Sequence, residues 1–406
     1  MALPSTLSRF YQLKFLDLED WHGRSSLPKD ISRLVNLQKF LAKKELHSSV
    51  PEVGKMKCLQ ELKEFCVKKE SVGFELRELG ELRELEEELR ICNLENVATR
   101  EEASEAKLML KSNLKKLTLL WGKKQPTIDG DVLDGLQPHP DLRELCIANH
   151  GGAVGPSWLC VDILLKQLGA LHLEGLSWDT LPPFGQLPDL TKLILTRISG
   201  VHQLGIQDML TSLTHLTLQD CVKLTVDGFN PLITVNLKVL VVFNCRWDRI
   251  CPESVAADLL SEVASSTAMP AGSFQLEQLK VDSISAVLVT PICNLVASTL
   301  NTLIFCHDHR AKSFTEEQEK ALQLLTSLRH LTFDGCGALQ SLPRGLNGLS
   351  SLKDLEVLWC PEMGSIPKEG FPVSLRNLRI RPCSTQVKEQ IEKIRRTSPG
   401  LSVRYE

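Results

Sequence analysis

Ser327-Leu328-Arg329-His330-Leu331-Thr332-Phe333-Asp334-Gly335-Cys336 and Ser351-Leu352-Lys353-Asp354-Leu355-Glu356-Val357-Leu358-Trp359-Cys360 repeat one pattern 24 residues apart. Each opens on Leu, returns to an apolar residue at the fourth and sixth positions of the word, and reaches Cys three residues later. The last two apolar positions alternate with polar neighbours, as a strand with one buried face requires. A single strand of this kind closes no core, whereas a stack of them buries each inward side chain between the copies on either side.

Outward from these copies, the strict word L-x-x-L-x-(L/I/V/F) begins at Leu13, Leu114, Leu142, Leu168, Leu190, Leu213, Leu237, Leu276, Leu300, Leu328, Leu352 and Leu375. From Leu114 the intervals are 28, 26, 22, 23, 24, 39, 24, 28, 24 and 23. Looser copies fall at Leu37-Gln38-Lys39-Phe40, at Leu59-Gln60-Glu61-Leu62 and in a stretch ending Leu89-Arg90-Ile91, giving about fifteen repeats. Word and period are those of a leucine-rich repeat. The expected fold is an α/β solenoid, a leucine-rich-repeat horseshoe with a parallel β-sheet on the concave face and loops or short helices on the convex face. It is expected to be a single domain over 1–406, with irregular repeats in 1–113, regular ones in 114–245, an insertion in 246–275 and C-terminal repeats in 276–406.

The slot three residues past the word holds Cys221, Cys245, Cys336, Cys360 and Cys383. Repeats of this type place a small inward residue there, so a structural role is expected for these thiols. Leu27-Pro28, Val50-Pro51, Leu181-Pro182, Leu187-Pro188, Leu342-Pro343 and Ile366-Pro367 mark the opposite side of each turn. Proline presets φ and donates no hydrogen bond, which suits an extended convex segment. Helices are expected after the capping signals Thr99 with Glu102 and Thr315 with Gln318, and at Pro252 to Val263, followed by a Ser/Ala/Gly-rich surface loop from Ala264 to Ser273. The Glu/Arg/Lys-rich segment Leu62 to Leu89 reads as a solvated convex helix.

Lys plus Arg number 47 against 50 acidic residues, a formal charge of −3, so no global field favours nucleic acid. No run of 18 or more apolar residues exists, and membrane insertion is not expected. The odd, scattered set of 13 cysteines reads as reduced thiols in a cytoplasmic protein. No H-E-x-x-H, G-x-S-x-G or G-x-G-x-x-G occurs. Cys306-His307-Asp308-His309 gathers potential ligands in one short run, but a metal site also needs a second shell, and the run reads as a polar strand-end loop. No enzyme activity, cofactor or metal is therefore expected.

Function then rests on surface. Outward strand positions of successive repeats should align in columns roughly 4.7–4.9 Å apart. One column would hold Lys192, His215, Val239, Gln278, Thr302, His330, Asp354 and Asn377; another Gln219, Phe243, Asp282, Cys306, Asp334, Leu358 and Arg381. The residues assigned to a protein-binding concave face are His215, Gln219, Phe243, Asp282, His330, Asp334, Asp354, Leu358 and Arg381. Phe243 and Leu358 are large apolar groups at nominally exposed positions, and either anchor a partner or lie under loops. Trp121, Trp247 and Trp359, just past strand ends, read as core or rim packing. Arg379 and Glu356 are expected to form an inter-repeat ion pair.

Four stretches carry a family resemblance: Leu27-Pro28-Lys29-Asp30-Ile31-Ser32-Arg33-Leu34-Val35-Asn36-Leu37, Leu89-Arg90-Ile91-Cys92-Asn93-Leu94-Glu95-Asn96-Val97, Ala103 to Gly122, and Ser351 to Pro361. The chain resembles the leucine-rich-repeat half of plant nucleotide-binding immune receptors of the coiled-coil class abundant in cereals. The resemblance implies a recognition and autoinhibition domain that folds back on a nucleotide-binding switch. Its partners would be a pathogen effector, a host target or a receptor's nucleotide-binding domain, in a defence response. The chain departs from the family in having no G-x-x-x-x-G-K-(S/T) loop: Gly122-Lys123-Lys124 is followed by Gln125. Because the first strict repeat begins at Leu13, no N-terminal coiled coil is expected, and an uncapped start is expected to expose apolar surface. The competing reading is a free-standing scaffold or adaptor, such as a ubiquitin-ligase substrate receptor.

Overall fold

The computed structural model describes residues 3–21, 27–122, 129–201, 212–225, 230–245, 254–266, 274–381, 385–397 and 400–405. Trp247, Cys383 and most of the stretch from Ala264 to Ser273 lie outside the described residues. Two compact units divide the chain, Met1–Val201 and His202–Glu406.

The first unit contains β1 (Phe15–Asp17), β2 (Lys39–Leu41), β3 (Glu64–Cys66), β4 (Glu87–Cys92), β5 (Leu114–Leu120), β6 (Glu144–Ala148), β7 (Ala170–Glu174) and β8 (Lys192–Thr196). β1 and β2 pair with each other, and from β3 to β8 each strand pairs in parallel with the next. The second unit contains β9 (His215–Gln219), β10 (Val239–Phe243), β11 (Gln278–Val281), β12 (Thr302–Cys306), β13 (His330–Asp334), β14 (Asp354–Leu358), β15 (Asn377–Ile380) and β16 (Ser402–Tyr405), again parallel and in chain order. The chain is thus a leucine-rich-repeat protein built on parallel sheet. Each strict word carries one strand, and all but β5 begin at the third residue of the word. β16 has no strict word, yet Val403 and Tyr405 take the positions beside Leu378 and Ile380.

The apolar positions of the word are the core. Leu328, Leu331, Phe333, Leu352, Leu355 and Val357 are each 0% exposed, and the Phe305 and Phe333 rings stack at 5.6 Å. Burying one such side chain stabilises by roughly 1.5–3 kcal/mol, and neighbours supply the surface that buries it.

Nine of the strands leave the sheet through a left-handed residue. Asn93, Asn149, Gly175, Arg197, Asp220, Asn244, His307, Gly335 and Trp359 all have positive φ immediately after a strand. The N–H of such a residue continues the ladder before the chain turns, as His307 to the Asp334 carbonyl at 2.8 Å and Gly335 to the Leu358 carbonyl at 2.8 Å. Gly335 needs the absence of a side chain twice over: its φ is +65°, and a Cβ would sit 2.7 Å from His307 Nδ1. Immediately after this residue the expected cysteines point inward. Cys221, Cys245, Cys336 and Cys360 are buried, and Cys245 donates from Sγ to the Leu218 carbonyl at 3.3 Å.

The return side is made of short 3-10 turns such as Ile31–Arg33, Phe184–Gln186 and Arg344–Gly348, the latter two entered from Pro183 and Pro343. Thr315 and Gln318 form a reciprocal capping box on the helix Glu316–Gln323. Thr99 caps the helix Arg100–Ser104, but Glu102 accepts from the Ala98 N–H, and Leu110 falls in a separate turn. The third expected helix is found at Val255–Ser265.

The segment Leu62 to Leu89 is not the single helix its composition suggests. It holds β3, a four-residue helix Arg77–Gly80 and the start of β4. Leu76, Leu79, Leu82 and Leu85 recur every third residue and are all buried. A strict spacing of three drifts about 60° per step around an α-helix, so no continuous helix could bury all four on one side. Lys111 closes this turn from below, its buried Nζ donating to the carbonyls of Leu79 at 2.6 Å and Leu82 at 2.7 Å.

Candidate protein-recognition face

Register in the second unit aligns the outward positions as the repeat spacing requires. His215, Val239, Gln278, Thr302, His330, Asp354, Asn377 and Ser402 are successive Cα partners across β9 to β16. Lys192 occupies the equivalent position in the first unit, opposite Ala170. The next outward column runs Thr217, Val241, Lys280, Ile304, Thr332, Glu356, Arg379 and Arg404.

Within these columns the side chains bond sideways. His330 Nδ1 lies 2.7 Å from Asp354 Oδ2, and Asn377 donates to the other Asp354 oxygen. The expected pair of Arg379 and Glu356 is present at 3.6 Å. Thr302, His330, Thr332, Asp354, Glu356, Asn377, Arg379, Ser402 and Arg404 line a groove of 530 Å³. The groove presents both charge signs, hydroxyls and an amide, with Arg379 and Arg404 direct register partners.

The last outward column is less uniform than the sequence suggests. Gln219 pairs with Phe243, and Asp334 pairs with Leu358. Phe243 and Leu358 are half-buried, and Lys280 Nζ stands 5.1 Å above the Phe243 ring. Cys306 is not an outward residue: it is buried, its Sγ directed to the Val281 carbonyl at 3.4 Å. Asp282 falls beyond the ladder, where pairing of β10 with β11 stops at Val242 and Val281. There its carboxylate replaces the missing strand carbonyl, accepting the Asn244 N–H at 2.6 Å, and burial raises its pKa. Arg381 continues past β15, its N–H reaching the Val357 carbonyl at 2.9 Å.

The tryptophans divide. Trp121 is buried as expected, edge-on to His150, whereas Trp359 is 56% exposed beside Leu358. A left-handed φ of 56° swings it clear of the core slot, which Cys360 fills instead.

Other polar clusters have structural explanations. Asp308 accepts from the N–H groups of Ile284, Arg310 and Ala311, which uses both its oxygens inside the Cys306-His307-Asp308-His309 run. On the first unit's sheet, Cys146 Sγ lies 3.6 Å from His172 Nδ1, and His172 Nε2 lies 3.8 Å from Glu174. Burial pushes the Cys146 thiol up to about 11, so it stays protonated at neutral pH and is a poor nucleophile.

Sequence spacing gives no sign of two further features of the first unit. A groove of 470 Å³ is lined by Lys39, Lys63, Glu86, Lys116 and Glu144 among others, with pairs Lys39–Glu86 and Lys116–Glu144 both at 3.3 Å. Glu64, Cys66 and Cys92 bring their donor atoms within 4.8 Å of one another. Both arise from strands about 24–28 residues apart, so no local motif announces them.

Residues 76–198 match the model of the R13L1/DRL21 leucine-rich repeats. The chain is homologous to plant disease resistance proteins over about three quarters of its length. It is 30% identical over 309 residues to RGA1 of Solanum bulbocastanum, a disease-resistance candidate, covering 74% of this chain and 29% of that protein. It is 28% identical over 303 residues to the disease resistance protein RGA2 of the same species, covering 72% of this chain and 27% of that one. The chain thus spans less than a third of the length of these relatives. Among solved structures it is similar to a leucine-rich-repeat protein of Leptospira interrogans, with a TM-score of 0.46 and 17% identity, over 99% of this chain and 98% of that one. Among the described residues no helix is long and apolar enough to cross a membrane.

Proposed function

We propose that this homology reflects a shared task, and that the chain is the protein-recognition module of an intracellular plant immune receptor, acting in the cytoplasm in defence. It binds a pathogen effector, a monitored host protein or the nucleotide-binding domain of a receptor through the outward face of β9 to β16. The supporting observation is the contrast between the two faces of the same strands. Inward positions are Leu, Val, Ile or Phe in every strand from β9 to β15, as in Leu216 with Leu218 and Leu355 with Val357. Outward positions change chemistry from strand to strand while keeping register, as His330, Asp354 and Asn377 do. Inward side chains are held by packing, which leaves outward ones open to selection for a partner.

The test is binding of a nucleotide-binding domain from a related receptor to the chain and to Phe243→Ala/Asp334→Ala/Arg381→Ala. Affinity for the triple variant should fall at least about tenfold while its unfolding midpoint stays close to that of the parent. Equal affinity would remove this face from the proposal.

A further inference from the structure

We infer that Glu64, Cys66, Arg90 and Cys92 form a site for a soft divalent cation of the zinc class on the first unit's sheet. The register pairs Glu64 with Arg90 and Cys66 with Cys92, so the four side chains occupy the corners of a square across β3 and β4. The donor atoms of Glu64, Cys66 and Cys92 converge within 4.8 Å, and Cys66 Sγ lies 3.8 Å from Glu64 Oε1. Two ligands of one tetrahedral ion, each roughly 2.0–2.3 Å from it, stand about 3.5–3.8 Å apart, so little movement is needed to close three donors on a cation. This leaves a fourth coordination position for water or a ligand from a partner.

The fourth corner supplies the charge balance. Binding takes the form of a dication joining two thiols and one carboxylate, with two protons released to solvent, which leaves a unit negative charge on the complex. Arg90 Nε lies 3.3 Å from Cys92 Sγ and 3.4 Å from Glu64 Oε2, where its guanidinium neutralises that charge and donates to the thiolate. Outer donors of this kind orient ligands and tune affinity.

The position separates this pair from the other neighbouring cysteines. Cys336 and Cys360 directly follow the left-handed residues Gly335 and Trp359, wholly buried, with their thiols directed at the Phe305 and Phe333 carbonyls. Cys66 and Cys92 instead end their strands as direct partners, Cys66 half-buried and Cys92 buried at 6% exposure. Cys66 is half-buried and Glu64 retains 17% of its side-chain exposure, so an ion can enter.

The experiment titrates the reduced full chain with cobalt(II) and zinc(II). About one equivalent should bind with thiolate-to-cobalt charge-transfer absorption, displaced by zinc, and with about two protons released. Cys66→Ser/Cys92→Ser should lose the absorption, Cys336→Ser/Cys360→Ser should keep it, and Arg90→Met should weaken zinc about ten- to a hundredfold. Should the double variant fail to fold, alkylation of the parent provides the reading: zinc should protect Cys66 specifically. No absorption in the reduced parent, equal absorption in the Cys66/Cys92 variant, or Cys66 alkylated equally with and without zinc would each overturn the assignment. So would a Cys66–Cys92 disulfide whose reduction restores no uptake.

Discussion

His330 and Asp354 are directly paired residues of β13 and β14, and their side chains meet at 2.7 Å on the outward face. Asn377 of β15 donates to the same carboxylate, so three strands present one bonded polar row. His330 is largely exposed, and a surface pair of this kind adds only about 0–1 kcal/mol to folding. Each of His330→Ala and Asp354→Ala should therefore shift the urea midpoint little while weakening partner binding. A loss of stability well above that range, with binding intact, would make the row structural.

Trp359 occupies a left-handed position that other repeats fill with Asn149, Gly175, Asn244 or Gly335, and it is 56% exposed there. A bulky side chain in that conformation costs roughly 1–2 kcal/mol, with little burial in return. Trp359→Asn should thus leave folding stability equal or higher by about 1 kcal/mol, and should reduce partner affinity about tenfold or more. Calorimetry on the free protein and on the complex reads the two effects separately.

Asp282 stands where a ladder carbonyl is missing, and its carboxylate receives the Asn244 N–H. Asp282→Ala leaves that donor without its acceptor, and a loss of about 1–3 kcal/mol in chemical denaturation is expected. A smaller loss together with impaired binding would return Asp282 to the recognition face.

Lys111 is buried beneath two main-chain carbonyls, and burial lowers its ammonium from 10.5 to about 8. The folded state therefore binds fewer protons than the unfolded chain between those values, so this group makes stability rise with pH across that window. The full rise is about 3 kcal/mol. Lys111→Met should remove the slope between pH 8 and 10 in paired urea titrations, and an unchanged slope would place its origin elsewhere.

His47 behaves in the opposite half of the scale. Burial, with Lys63 nearby, lowers it from 6.5 to about 4, while its Nδ1 accepts the Lys63 main-chain N–H at 3.3 Å. The unfolded chain takes up the extra proton first, so the stability this neutral ring contributes is intact above pH 6.5 and is lost as pH falls toward 4. At pH 5 the loss is about 2 kcal/mol, and His47→Gln, which keeps an acceptor without titrating, should show a correspondingly smaller drop between pH 7 and 5.

The Leu word by itself determined the repeat, the parallel strands, the inward faces and the alignment of His330 with Asp354. Burial every second residue and a fixed repeat length leave only one way to stack. The inward cysteines of the turns, the Thr315 cap and the Arg379–Glu356 pair were also legible, because each depends on fixed offsets along the chain. Tertiary structure decided what depends on local detours in the backbone or on residues brought together from different repeats. It buried Cys306, set Asp282 to replace a strand carbonyl, turned Trp359 outward through a left-handed φ, and broke Leu62 to Leu89 into strand and turn. It also set Cys66 opposite Cys92 and Glu64 opposite Arg90, a square whose corners lie 26 residues apart in sequence and face each other only when β3 and β4 pair. Periodicity specifies which side of the sheet a residue occupies, but the atoms it meets there are chosen by the neighbouring strand.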